Sequence, residues 1–517
     1  MDAVVLTFDI GTQSCRAAIV DDKGTILSQT QEKFVSPYFS KNPGWAEQTG
    51  QFYWDSICKV SKQLQANAGE LWNKIAAVSI TTIRDTTICV DESGTPLRPA
   101  ILWLDKREAS VSEPLPLVKQ ALFTATGMRE SVALIRKISV CNWIMQNEPE
   151  IWKKTYKYLM LSGYMHFCLC GKMIDSTASI IGHVPFDYKK RCWQKTSDLT
   201  YCIFPIPREK FCELCEPGDI IGKITRTASE QSGIPEGLPL VATGSDKGCE
   251  TLGMGVIDTS MASLSFGTTA TVQTTSASYY EAIPLMPPYP APIPGHYNPE
   301  IEIFRGYWMI TWFKNEFAHK EVETAHAKGI LPEEALDSLL TQAPPGSMGL
   351  VVQPYWGPGL NHPDAKGAMI GFGDVHTKAH VYRAVIEGLA FALLEGVHIL
   401  EKKGNTRIRK LAVSGGASQS DQICQISADI FDRPLVRGKT TETSGLGAAI
   451  VTSAGVGLHP SIRQAMESMV SYDRIFEPDP ERSLIYRELF ENVYLGIYKA
   501  LKPLYRNIRD ITGYPES

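Results

Sequence analysis

Two short stretches, half a chain apart, constrain this 517-residue sequence more than anything else in it: FDIGTQS at 8 to 14 and SFGTTAT at 265 to 271. Each puts a hydrophobic run before a Gly, hydroxyl residues just after it, and a second apolar run beyond. Apolar runs on either side of a Gly turn spell two strands joined by a reversal. Similar hairpins at corresponding places in two halves imply duplicated domains facing one another across a cleft. The length agrees, because about 150 residues per domain gives three domains or two large ones.

The rest of the chain fills in that plan. VVLTFDIGTQSCRAAIVDDKGTIL reads as a hairpin meander that turns at Gly11 and again at DDKG. A second strand unit spans 76 to 105, and QFYWDSICKVSKQLQANAGELW between them has the apolar spacing of a helix. Strands and helices intermix, which gives the α/β class. A helix is expected over 150 to 170, and an irregular, Pro-bearing stretch over 203 to 240. GLPLVATGSDKGCETLGMG then passes from strand through a Gly-rich loop to a helix beginning near Asp246. The domain boundary is placed just after it, giving domains 1–253 and 254–500 and a C-terminal tail at 501–517. The run PLMPPYPAPIPGHYNP at 285 to 299 is a loop or linker, since Pro suits neither a helix interior nor a central strand.

Charge narrows the function. Lys and Arg total 51 against 56 Asp and Glu, so no basic field draws nucleic acid or anionic lipid. No cation precedes Arg16, which argues against a signal or transit peptide and for a cytoplasmic protein. The longest apolar stretch, at 384 to 400, carries Glu387 and Glu395 and is not expected to span a membrane. Twelve Cys without repeated spacing read as free thiols, and neither Cys212 with Cys215 nor His376 with His380 makes a complete metal site.

Hydroxyls and backbone N–H groups at a Gly-rich turn suit phosphate, because Gly lets the backbone approach and successive N–H groups form an anion nest. GTQS at 11 to 14 and GTTA at 267 to 270 both qualify. Asp9, at the end of the first strand, can hold Mg2+ through water or simply cap the turn. A third place is LAVSGGASQSDQICQISADIF at 411 to 431: a strand, a Gly pair, and a helix capped by Ser418 or Ser420. Gly415 and Gly416 leave a flat surface for a nucleotide base, or make only a tight connection. There is no GxxxxGK[ST], and GLGAA at 445 to 449 lacks the context of a dinucleotide fingerprint.

FDIGTQSCR, GWAEQ with Trp54, TTIRDTT, WLDKR, GSDKG, SFGTTA, GAMIGF with HVYRAVIEG, and SGGAS follow one another in an order that resembles the FGGY-family carbohydrate kinases, over roughly residues 4 to 500. The resemblance implies an α/β fold of two actin-like (ribonuclease-H-like) domains around a central cleft. By position it makes Asp246 the catalytic base and Asp9 a Mg2+-associated carboxylate, with Asp246 sharing the metal. Thr12, Gln13, Ser14, Arg16, Gly267 and Thr268 fall in its phosphate-binding loops, and Gly415, Gly416 and Ser420 in its adenosine site. Arg84, Asp85, Trp103, Asp246 and Lys247 fall in its substrate pocket. Arg84 and Asp85 resemble the Arg-Glu pair of glycerol kinases, whereas Asp105 and Arg107 resemble the WxDxR pattern of ketose kinases. Asp85 is shorter than Glu, Lys247 replaces Gln, and 131 to 141 offers no Tyr.

The function so implied is ATP-dependent transfer of the γ-phosphoryl group to a hydroxyl of a small polyol or ketose, with Mg2+ and with closure that excludes water. The expected partner is a small-molecule sugar or polyol, without nucleic acid or membrane, and the expected assembly is a homodimer. The alternatives are a non-catalytic sugar or nucleotide sensor on the same fold and an actin-like ATPase that needs no sugar.

Overall fold

The computed structural model describes residues 3–110, 115–284, 286–330, 332–356 and 364–514. By contacts the chain divides into two compact units. The first is the N-terminal part through Gly253 with Tyr289–Tyr297 and Glu442–Val470; the second comprises Met254–Pro288, Asn298–Thr441 and the chain from Ser471.

A six-stranded sheet organises the first unit, in the order Ile220–Lys223, Pro239–Val241, Ile75–Thr82, Val4–Ile10, Ser14–Val20, Ile26–Lys33. Val4–Ile10 is buried at every position, as its unbroken VVLTFDI requires of a strand covered on both faces. Ile26–Lys33 is polar and half exposed, which suits the sheet edge. The reversal from Ser14–Val20 into Ile26–Lys33 is built by Asp21, whose Oδ1 accepts from Lys23 N at 2.9 Å and Thr25 N at 2.7 Å. Helix Gly50–Ala68 starts where Thr49 accepts from Phe52 N, and it buries Tyr53, Ile57, Val60 and Leu64 at helical spacing.

The second unit repeats the plan: Glu300–Ile303, Ala270–Thr274, Met261–Phe266, Lys410–Ser414, Leu435–Gly438, Tyr472–Phe476. In both sheets the first strand pairs antiparallel with the second and parallel with a later one. Over its core lies helix Lys378–Gly404, which contains the long apolar stretch. Glu387 is buried there because it is satisfied by Arg383 at 2.8 Å, Tyr486 Oη at 2.7 Å and Ser347 Oγ at 3.0 Å. No described helix is long and apolar enough to cross a membrane.

Two expectations fail. The stretch 203 to 240 is not irregular throughout, since it holds strands Glu213–Cys215 and Ile220–Lys223 and helix Arg226–Ser232. Residues 150 to 170 are not one helix: Pro149–Lys154 and Leu161–Cys170 are separated by strand Lys157–Met160. That strand pairs with Thr87–Val90 in a smaller sheet, so a tertiary ladder overrides local helical spacing.

Candidate active site

In the first unit the site is built where strands of the central sheet end. Val4–Ile10 delivers Asp9 opposite Arg16, and the hairpin closes with Gly11 N donating to Ser14 O at 2.9 Å. Asp9 Oδ2 lies 3.5 Å from Arg16 Nη1, while Arg16 Nε reaches Glu442 at 3.2 Å. The buried Asp9 Oδ1 has no hydrogen-bond partner among the described residues. Burial pushes the Asp9 carboxyl up to about 7; Arg16 opposes this, and Asp246, Glu442 and Glu250 add to it. Gln13 is exposed at the turn, and Thr12 Oγ1 accepts from Trp103 Nε1 at 3.0 Å. Ser14 is buried instead, its Oγ 3.2 Å from the Gln31 carboxamide.

Asp246 opens the helix Asp246–Gly253, but it does not cap it. Ser245 does, its Oγ accepting from Gly248 N at 3.3 Å. The Asp246 carboxylate accepts from Lys247 N at 2.8 Å through Oδ1 and does not serve as the helix cap. Burial raises its proton affinity, with Arg84 and Lys247 working against that. Lys247 Nζ bonds Glu250 at 2.7 Å, one turn along the same helix. Helix Thr443–Gly455 packs closely on this one, since a Cβ on Gly447 would sit 1.9 Å from Cys249 O. GLGAA is therefore a contact face made of small side chains.

Arg84 and Asp85 follow strand Ile75–Thr82. The Arg84 guanidinium lies 5.2 Å from the Tyr289 ring. Asp85 is engaged by His183, which sequence reasoning missed: Oδ2 is 2.6 Å from Nδ1, and Oδ1 accepts from His183 N at 3.0 Å. Trp103 is 49% exposed. Asp105 and Arg107 do not join this group, because they are buried and bonded to each other at 2.8 Å, with Arg107 3.9 Å from the Trp45 ring. Glu250 and Glu442 were missed as well. The spacing of Asp246 and Glu250, four apart on one helix face, was a readable signal for the first.

In the second unit, the loop Gly267–Thr269 joins Met261–Phe266 to Ala270–Thr274, and Tyr307 N donates to Gly267 O at 3.0 Å. Thr268 is exposed. Gly415, at φ 89°, presses against this loop: a Cβ would stand 2.7 Å from the Phe266 carbonyl carbon, whereas one on Gly416 would meet nothing within 4 Å. Ser420 caps helix Asp421–Phe431 through Ile423 N at 3.1 Å and donates to Asp337 at 2.6 Å.

The chain is similar throughout to known sugar kinases. It is 27% identical over 519 residues to the xylulose kinase of Staphylococcus epidermidis, covering 99% of each chain. It is also 27% identical to the glycerol kinase of Deinococcus radiodurans, covering 93% of this chain and 95% of that one. Its fold matches the xylulose kinase of Rhodospirillum rubrum with a TM-score of 0.81, 24% identity and coverage of 97% and 100%. The gluconate kinase of Lactobacillus acidophilus gives a TM-score of 0.81 at 22% identity, covering 98% and 99%. Residues 4–253 match the N-terminal domain, and residues 262–456 the C-terminal domain, of the FGGY carbohydrate kinases. With its two sheet-bearing actin-like units, the chain belongs to that family and is an ATP-dependent phosphotransferase acting on an alcohol group of a sugar or polyol.

Proposed function

We propose that Asp246 is the general base that takes the proton from the acceptor hydroxyl during phosphoryl transfer from ATP to a small ketose or polyol. The observation that carries this reading is the division of labour at the helix start: Ser245 caps, which leaves the Asp246 carboxylate available. A base in this role must lie within hydrogen-bond reach of the hydroxyl and be ionised when it acts. Arg84 and Lys247 favour the ionised form against burial.

Arg84, Trp103 and the Lys247–Glu250 pair are assigned to the acceptor side, in the same unit as Asp246. The loop at Thr12 and Gln13 with Arg16, and the loop at Gly267 and Thr268, are assigned to the phosphates. The Gly415–Gly416 turn is assigned to adenosine, with Ser420 holding the helix that follows it. Mg2+ fits Asp9: a buried carboxylate oxygen without a partner is a suitable hard ligand. Mg2+ commonly keeps several waters and is held by one or two carboxylates together with substrate phosphates. When bound, the cation would neutralise charge on the β- and γ-phosphates.

Replacing Asp246 by Asn keeps the size and removes proton acceptance. Turnover should fall by about 10² or more while ATP still binds. Near-normal turnover by a folded Asp246→Asn protein would refute the assignment.

A further inference from the structure

The residues around Asp85 form a clasp that the phosphoryl-transfer chemistry does not require. Asp85 N donates to Ile181 O at 2.9 Å, and both carboxylate oxygens are taken by His183. Asp85 itself sits at φ 46°, a left-handed conformation that is unfavourable for a residue with a side chain. Gly182, at φ 154°, is the residue that allows the approach, because a Cβ there would stand 2.3 Å from Asp85 Oδ1. Three consecutive residues, Ile181 to His183, therefore close on Asp85, Ile181 on the Asp85 backbone and His183 on the Asp85 carboxylate.

The clasp fixes the imidazole. Facing an acceptor-only carboxylate, Nδ1 carries the proton and donates. Nε2 takes no hydrogen bond among the described residues, and the side chain is 31% exposed. The ring meets Phe204 edge-on at 6.1 Å. Tyr188 Oη bonds the backbone of Gly182 at 3.2 Å, its ring lies 5.7 Å from Tyr289, and Tyr289 lies under Arg84. His183 and Arg84 are thus joined, through the Gly182 backbone, Tyr188 and Tyr289, by one connected set of contacts within the first unit. Burial disfavours both ions of the pair, yet their mutual attraction prevails, lowering the proton affinity of Asp85 and raising that of His183. An imidazolium at this position offers a second N–H.

We propose that His183 is a specificity-determining residue of the acceptor pocket, presenting Nε2–H as the companion donor to Arg84 for an sp2 oxygen of the acceptor, the carbonyl of a ketose or the carboxylate of a sugar acid. Both Asp85 oxygens already accept from His183, which reduces the acceptor capacity left for a polyol hydroxyl. The inference rests on the acceptor pocket assigned above.

The test compares kcat/KM of the wild type, His183→Gln and His183→Ala with a pentulose, a pentonate and a pentitol at saturating ATP. The variants should lose at least about 10-fold with the pentulose or the pentonate, mainly through KM, and less than about 3-fold with the pentitol. Which of the first two loses more identifies the oxygen. Equal changes for all three acceptors, or none, would overturn the role of His183. A wild type that releases no ADP with any acceptor would overturn the pocket itself. Thermal melting of the wild type with a non-hydrolysable ATP analogue needs no variant. The pentulose or pentonate should raise the melting temperature more than the pentitol does, and equal shifts would contradict the inference.

Discussion

Asp9 pays for its position in stability. Its carboxyl, normally near 3.8, is pushed up to about 7 by burial. Between about pH 4 and pH 7 the native chain therefore holds a proton that the unfolded chain has released. Stability should fall as pH rises through that window and level off above it. Asp9→Asn removes this dependence. In urea unfolding of the ligand-free protein, the variant should gain about 3 kcal/mol more over the wild type at pH 8 than at pH 5. A difference independent of pH would show that Asp9 is not perturbed. Arg84→Ala should raise the acceptor KM by about 10- to 100-fold, the scale of a hydrogen bond to a charged group, and leave ATP KM nearly unchanged. Steady-state kinetics varying each substrate in turn would show an acceptor KM unchanged if Arg84 lies outside the pocket. Lys247 is bonded to Glu250, so Lys247→Gln also leaves Glu250 without that partner. It should change the ranking of ketose, sugar acid and glycerol more than it changes ATP KM, and equal fold-changes in kcat/KM would remove Lys247 from selection.

At the scale of elements, two neighbouring glycines do different jobs. Gly415→Ala must push a Cβ toward the Phe266 carbonyl at a positive φ, so it should destabilise the second unit by about 2 kcal/mol and disturb the Gly267 loop. Gly416→Ala meets open space and should leave the melting temperature nearly unchanged. If a nucleotide base lies on that surface, the same substitution should still raise ATP KM several-fold; an unchanged KM would take adenosine away from it. The two hairpins and the Asp246 helix were legible because their signals are local: a Gly between apolar runs, and a Gly-rich loop before a helical pattern. His183 was not, since it lies in an irregular segment and is defined by a backbone contact with a strand end almost a hundred residues earlier. Glu442 was hidden for a related reason. It reaches Arg16 through helix Thr443–Gly455, which packs with the first unit although the strand before it in sequence belongs to the second.

For the molecule as a whole, the repeated sheet order explains why one short motif occurs twice. Each hairpin loop follows the strand that pairs antiparallel on one side and parallel on the other. The sixth strand marks a difference, because Ile220–Lys223 precedes its neighbour in sequence and Tyr472–Phe476 follows its own. The central claim is transfer to a sugar hydroxyl with Asp246 as the base. Its most direct test is ADP release from Mg2+-ATP, measured with and without a panel of glycerol, pentitols, pentuloses and gluconate, in the wild type and Asp246→Asn. The account predicts one ADP per phosphorylated acceptor, release near background without acceptor, and a fall of about 10² or more in the variant. ADP release indifferent to every acceptor, or undiminished in Asp246→Asn, would contradict it.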